Sequence, residues 1–192
     1  MPKCRARSFH NKAAEHIPEA LWPALGPIVE QIGSLTERIR QYDRKLEEIS
    51  KEHYPETELL RQVEGVGALT ALTLEDPYRF EKSRSVGAYM GLVPASERSG
   101  DRDPQKRISK EGDEMLRKLL VGSAHYILGP FGSDSDLRRH GQKIASRGGK
   151  NAKKRAAVAV ARKLAVLLHR LWVSGEVYEP LYNAHRCEGV AA

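Results

Sequence analysis

The stretch from Tyr89 to Leu120, YMGLVPASERSGDRDPQKRISKEGDEMLRKLL, holds a helix end, a loop that cannot enter a core and a helix start in unbroken succession. Gly91 can end a helix in the left-handed conformation that its missing Cβ permits, and Pro94 keeps Val93 extended. From Ala95 to Arg107 the only apolar side chain is Ala95, Pro104 aside, while Arg98, Arg102, Lys106 and Arg107 surround Ser99-Gly100. Ser99 is therefore expected on a solvated, positively charged loop. Ser109 has the side chain of an N-cap, and Met115, Leu116, Leu119, Leu120 and Ala124 follow the 3.6-residue period, so the spacing predicts a helix from Lys110 to about Leu128. With helices on both sides of the loop, the fold class expected is mostly α.

Two readings of the loop stand on its residues alone. Ser and Arg both donate to phosphate oxygens and Gly lets a backbone come close, so phosphate contact by Arg98, Gly100, Arg102, Lys106, Arg107 and Lys110 explains the composition. Alternatively, the Ser99 hydroxyl attacks a phosphodiester while the arginines neutralise the charge of the transition state. No general base stands nearby in the sequence, and composition by itself weighs toward binding. His125, alone on the following helix, reads as a packed or surface residue.

Upstream, Leu59, Leu60 and Val63 lead into Gly65-Val66-Gly67 and a second helical run through Leu69, Leu72 and Leu74. This helix-hairpin-helix-like pattern contacts DNA when amides at the second helix's start meet a backbone phosphate that Gly65 and Gly67 allow to approach; it also makes an ordinary packing corner. Glu75-Asp76-Pro77 ends the run as solvated surface. Ser83 is expected to cap a short helix through Val86, Ala88, Tyr89 and Met90, with Arg84 facing either the loop or solvent. Further upstream Ile28, Ile32, Leu35, Ile39, Tyr42, Leu46 and Ile49 step by four and three, a heptad seam on a helix expected from about Pro27 to His53. Arg38 and Asp43 have the spacing of a cross-strand pair in a coiled coil. A helix folded back on its own domain is the other reading. Residues 1–23, with Lys3, Arg5, Arg7 and Lys12, read as a loose basic arm.

Downstream, eleven Lys and Arg and no Asp or Glu lie between Asp136 and Glu176. Arg138, Arg139, Lys143 and Arg147 precede Gly148-Gly149. Lys150, Lys153, Lys154 and Arg155 open a helix on which Val158, Val160, Ala161, Leu164, Leu167, Leu168 and Leu171 are expected to be buried. Cations at a helix start oppose the macrodipole, and a bound phosphate reverses that sign. A solvated charge run is the plain reading, but clustering against a buried face favours salt-sensitive binding to a nucleic-acid backbone. Trp172, Tyr178 and Tyr182 read as packing residues. A net charge of +7 and a pI near 9.5 point to a polyanionic partner. Cys4 and Cys187 lie near opposite termini and the seven histidines are scattered singly, so no metal site is expected and a reduced cytoplasmic setting is. No apolar run approaches membrane-spanning length.

Gly91-Leu92-Val93-Pro94, Ser99-Gly100, Arg107-Ile108-Ser109-Lys110, Gly112-Asp113 and Leu116 to Leu120 together resemble the C-terminal domain of the IS110 (IS116/IS902) insertion-sequence transposases. Val63-Glu64-Gly65-Val66-Gly67 with Thr70-Ala71, and Lys153-Lys154 with Ala159 to Leu164, extend the resemblance over about residues 57–180. It implies that Ser99 is the recombination nucleophile, forming a transient phosphoserine link to DNA. It implies as partners the DNA of element ends and target, a guide RNA encoded by the element, and a second copy of the chain through a coiled coil at residues 27–53. It also implies an N-terminal RuvC-like domain whose DEDD carboxylates bind divalent metal (Mg); no such acidic half stands in this sequence, and the metal is expected only there. The expectation is a truncated or short relative, inactive without that domain, in a bacterial, nucleoid-associated setting. The alternative is a catalytically silent dimeric DNA/RNA-binding module. The organisation expected is a basic arm at 1–23, a coiled-coil helix at 24–54 and a helical domain at 55–185, with a tail at 186–192. Within the domain lie the hairpin element at 57–75, the serine loop at 91–109 and the basic region at 137–173.

Overall fold

The computed structural model describes residues 6–73, 77–95 and 107–183. The expectations placed on Arg98, Ser99, Gly100, Arg102, Lys106 and Leu74 to Asp76 lie outside the described residues. Among the described residues the secondary structure is helical apart from one isolated antiparallel bridge between Pro94 and Ile108. The chain divides into two compact units, Met1–Ile49 and Ser50–Ala192.

In the first unit α1 (Phe9–Ala14) and a 3-10 turn at Glu19–Leu21 precede α2 (Trp22–His53), which runs on into the second unit. Residues 6–21 thus carry short helical turns within the stretch read as a loose basic arm, and α2 begins five residues before Pro27. Pro23 falls in its first turn, where an amide has no helical partner, and Pro27 removes one bond close to that end. The His10 ring lies on Gly33, the Trp22 indole on Gly26, and Arg7 reaches Asp43 at 3.4 Å. Those contacts occupy the stripe Gly26, Val29, Gly33, Arg40, one residue round the helix from the heptad seam. The seam itself is open: Ile28, Ile39 and Tyr42 are each more than half exposed, and Leu35 and Ile49 are exposed as well.

The second unit is organised on α8 (Ala152–Ser174). Its inner face carries Ala152, Ala156, Ala157, Ala161 and Ala165 between Val160, Leu164, Leu168 and Leu171, all buried. Alanine favours the helix and leaves room for neighbours to come close. α5 (Ser83–Tyr89), α6 (Glu114–Leu128) and α7 (Asp136–Ala145) pack around it. Two of the crossings depend on glycine. A Cβ on Gly141 of α7 would stand 2.7 Å from Val160 Cγ2 and 2.5 Å from Leu128 Cδ2, and one on Gly87 of α5 would stand 2.9 Å from Arg162 Cγ. The short helices α3 (Thr57–Arg61) and α4 (Ala68–Leu72) sit against α8 and α6 respectively. The buried Ser50 and Thr57 hydroxyls, 2.6 Å apart, fix the bend that leads into α3.

The ends of α5 and α6 define the loop between them. Gly91 has φ +63°, and the amides of Gly91 and Leu92 donate to the carbonyls of Ala88 and Gly87, a Schellman closure as the sequence predicts. A short antiparallel stem follows: Ala95 N–H donates to Arg107 O at 2.9 Å, Ser109 N–H to Val93 O at 2.9 Å and Lys110 N–H to Gly91 O at 3.1 Å. The Arg117 guanidinium spans the stem's base, donating to Met90 O and Glu111 O. Ser109 is therefore part of the stem and not an N-cap. Lys110 (φ +61°) and Gly112 (φ +89°) are left-handed, which excludes a helix through them. α6 starts at Glu114 on Asp113, whose carboxylate accepts from Leu116 N–H at 2.8 Å, a cap worth about 1 kcal/mol. Ser83 likewise does not cap α5; its hydroxyl meets Nδ1 of the buried His169 at 3.0 Å.

At the stem's base the two strands touch backbone to backbone. A Cβ on Gly91 would lie 2.2 Å from Glu111 O, and one on Gly112 would lie 1.8 Å from Tyr89 O. Gly91→Ala and Gly112→Ala are each expected to lose at least about 2 kcal/mol in urea unfolding, combining a left-handed residue with overpacking. Gly67→Ala, in open space at φ −91°, should lose under about 1 kcal/mol. Equal losses at all three positions would contradict the clamp.

Candidate nucleic-acid interface

α8 has a second face. Outside the buried stripe, Arg155, Val158, Ala159, Arg162, Lys163, Val166, Leu167 and Arg170 recur at helical spacing and line a groove of about 1940 Å³. One flank is the loop stem, with Pro94, Arg107, Ile108 and Lys110, together with Arg84 of α5. The other is α7, through Leu137 and His140, and an extended strap from Glu176 to Asn183. The strap is tied at both ends: Tyr178 N–H donates to Gln62 Oε1 at 3.1 Å, and the Asn183 backbone and side-chain amides each meet Asp136 Oδ2 at 2.8 Å. Pro180 O accepts from Asp136 N–H at 2.8 Å.

Most of the charge in the groove is positive. Its acidic residues are Asp136, Glu176 and Glu179, all from α7 or the strap; Asp136 is held by Asn183, and Glu176 pairs with Arg170 at 2.8 Å. That carboxylate holds the Arg170 guanidinium above its ordinary pKa, and Arg170 also lies over the Tyr182 ring, 5.6 Å from its centroid. The Arg162 stem lies against Gly87 at the α5 crossing. Removal from water, and then the charges of Lys163, Arg147 and Lys143, push the His140 imidazole below its ordinary value.

The sequence-predicted residues divide into three groups. Arg107, Lys110, Lys154 and Arg155 come together in the groove although nearly fifty residues of chain separate the pairs. Arg147 and Lys150 stand exposed in the turn before α8, and Lys153 is exposed on its first turn; none of these lines the groove. The Gly65-Val66-Gly67 hairpin is elsewhere, against α6: a Cβ on Gly65 (φ +86°) would meet the Tyr126 ring at 3.0 Å and Ser123 O at 3.2 Å. Its packing accounts for that glycine without a ligand. Two members of the basic run have structural work. Arg138 donates to Ile127 O and Gly129 O, closing the end of α6, and Arg139 pairs with Asp134. Val158 and Leu167, expected in the core, pack against it and are half-buried, with their remaining surface on the groove.

Arg162, Lys163, Arg170, His140 and the strap were not singled out from the sequence as groove residues. For Arg162 and Lys163 a signal existed, since they repeat Arg155 two helical turns later on the same face. Nothing local marks the others, because their neighbours come from distant segments. Among the described residues no three His, Cys, Asp or Glu side chains come together as a metal would need. No described helix is long and apolar enough to cross a membrane.

Residues 57–131 match the family model Transposase IS116/IS110/IS902 family. The transposase for insertion sequence element IS1111A of Coxiella burnetii is 33% identical over 147 residues, covering 74% of this chain and 39% of that protein. A probable family 20 transposase of Pseudomonas aeruginosa is 28% identical over 169 residues, covering 85% and 49%. The transposase for insertion sequence element IS1328 of Yersinia enterocolitica is 33% identical over 122 residues, covering 59% and 35%. The chain thus spans between about a third and a half of the length of the curated relatives it matches.

The position of His140 has a consequence for pH dependence. Its folded-state pKa lies below the ordinary 6.5, so as the pH falls the unfolded chain takes up the proton first and stability is lost from near 6.5 downward. His140→Gln is expected to flatten the fall in urea midpoint between about pH 7 and about pH 5. Parallel pH curves for the two proteins would show that the imidazole is not held neutral by the groove.

Proposed function

The chain belongs to the IS116/IS110/IS902 transposase family, and from that premise we propose that it acts in insertion-sequence transposition, holding DNA in the α8 groove and exchanging strands at Ser99. One observation carries this reading: both ends of the loop that contains Ser99 line the same groove as the cationic face of α8. A nucleophilic serine needs a phosphodiester held against it and positive charge placed before the reaction begins. The stem supplies the first constraint. Its two strands are pinned by three backbone hydrogen bonds and by Arg117, so the loop leaves from fixed points. Arg107 on the stem and Arg155, Arg162 and Lys163 across the groove supply the second.

In the step itself the Ser99 oxygen attacks phosphorus and loses its proton as the bond to one sugar oxygen breaks and that oxygen gains a proton. The phosphoserine keeps the phosphoester, so a hydroxyl of a second strand displaces serine without an external energy source. Arg98, Arg102 and Arg107 stabilise the equatorial charge. The divalent metal belongs to a separate DEDD-bearing domain, and an element-encoded guide RNA selects the DNA. The setting is the bacterial cytoplasm.

Two copies of the chain pair along α2. Its seam presents Ile28, Leu35, Ile39 and Tyr42 to solvent, and each side chain fully buried on pairing contributes about 1.5–3 kcal/mol. The contact between Arg7 and Asp43 competes with the cross-strand pair of Arg38 and Asp43, so apolar contact carries the association.

Two experiments test these assignments. With the DEDD-bearing domain added in trans, Ser99→Ala should abolish the covalent protein–DNA band on a denaturing gel while leaving DNA binding unchanged; an undiminished band removes Ser99 from the mechanism. In sedimentation equilibrium the chain should be dimeric and Ile39→Glu monomeric, and a monomeric parent chain would rule out pairing along the seam.

A further inference from the structure

Beneath its cations the groove has an aliphatic floor. Val158, Ala159, Val166 and Leu167 of α8 are half-buried there, and Ile108 on the stem is half-buried beside them. Cations alternate with them along the same face: Arg155, Arg162 and Lys163 on α8, and Arg107 and Lys110 on the stem, are all exposed. At the strap end the partly exposed Tyr182 ring lies against Arg170.

A duplex surface is phosphate and sugar with mostly polar base edges in its grooves, and beyond thymine methyls it offers little to aliphatic side chains. Held by the cations alone, it would leave the aliphatic residues between them facing water. An unpaired strand presents both chemistries at once. Its phosphates lie along one side, and its bases turn flat, weakly hydrated faces to apolar or aromatic side chains. Both kinds of side chain are then used, the aliphatic ones by bases and the cations by backbone. Resting on the nucleic-acid reading of the groove, we infer that its ligand is an unpaired strand of DNA or RNA, and that double helix is the poorer ligand. Sequence preference is weak, since the floor carries no hydrogen-bonding group and reads no base edge.

The test is fluorescence anisotropy of the full chain with labelled oligonucleotides of about a dozen nucleotides: a DNA strand, the same strand in RNA, and the DNA duplex. The single strands should bind at least about tenfold tighter than the duplex at one salt concentration. Replacing Arg162 and Lys163 together by Ala should weaken all three ligands and reduce the single-strand salt slope by about 1.4, at about 0.7 per phosphate contact. Val166→Thr, which keeps the volume of the floor but makes it polar, should lower single-strand affinity several-fold and leave the duplex unchanged. The tighter of the two single strands identifies which nucleic acid the groove serves. Duplex bound equally well or better, with the Arg162/Lys163 effect intact, overturns the inference and leaves the nucleic-acid reading standing. Binding that ignores Arg162 and Lys163, or no binding at all, overturns both.

Discussion

The carbonyl oxygen of Tyr89 occupies the space where a side chain on residue 112 would begin, and the carbonyl of Glu111 does the same to residue 91. Two glycines at positive φ therefore let the end of α5 and the approach to α6 touch main chain to main chain. Everything between them leaves from one narrow base. Had either position carried a Cβ, the stem could not close, and the polar loop would be joined to the domain only by its neighbours in sequence. The Arg117 guanidinium then bonds carbonyls on both sides of the base, turning a close approach into a fixed one.

α8 supports that base and uses both of its faces. The inner face is mostly alanine, so α5, α6 and α7 come near enough for glycines to be needed where α5 and α7 cross it. The outer face alternates cations with aliphatic residues and is left as the floor of a groove. One helix thus serves both the packing of the domain and the cationic groove. Gly87 shows this at a single residue, because the crossing it permits brings α5 against the stem of Arg162, which lines the groove.

The first unit is built differently. α2 gives one stripe to its own N-terminal segment through Gly26, Gly33 and Asp43, and leaves the neighbouring heptad stripe open. The two stripes are one residue apart around the helix, so the N-terminal contacts leave the exposed seam residues uncovered.

The amino-acid sequence determined the helical class, the heptad seam, the left-handed end of α5 at Gly91 and the break after α6, because each follows from a local period or from the backbone freedom of glycine. It misplaced the start of α6, since Ser109 looks like a cap until Lys110 and Gly112 are seen to be left-handed, and it could not tell that Arg138 and Arg139 serve the fold while Arg162 and Lys163 face the groove. A guanidinium has the same composition whether it closes a helix end or stands exposed on a groove wall. Only the tertiary structure decided between those uses, because the carbonyls that hold Arg138 and the stem that opposes Arg162 come from segments far away in sequence, brought near by backbone approaches that no local pattern records.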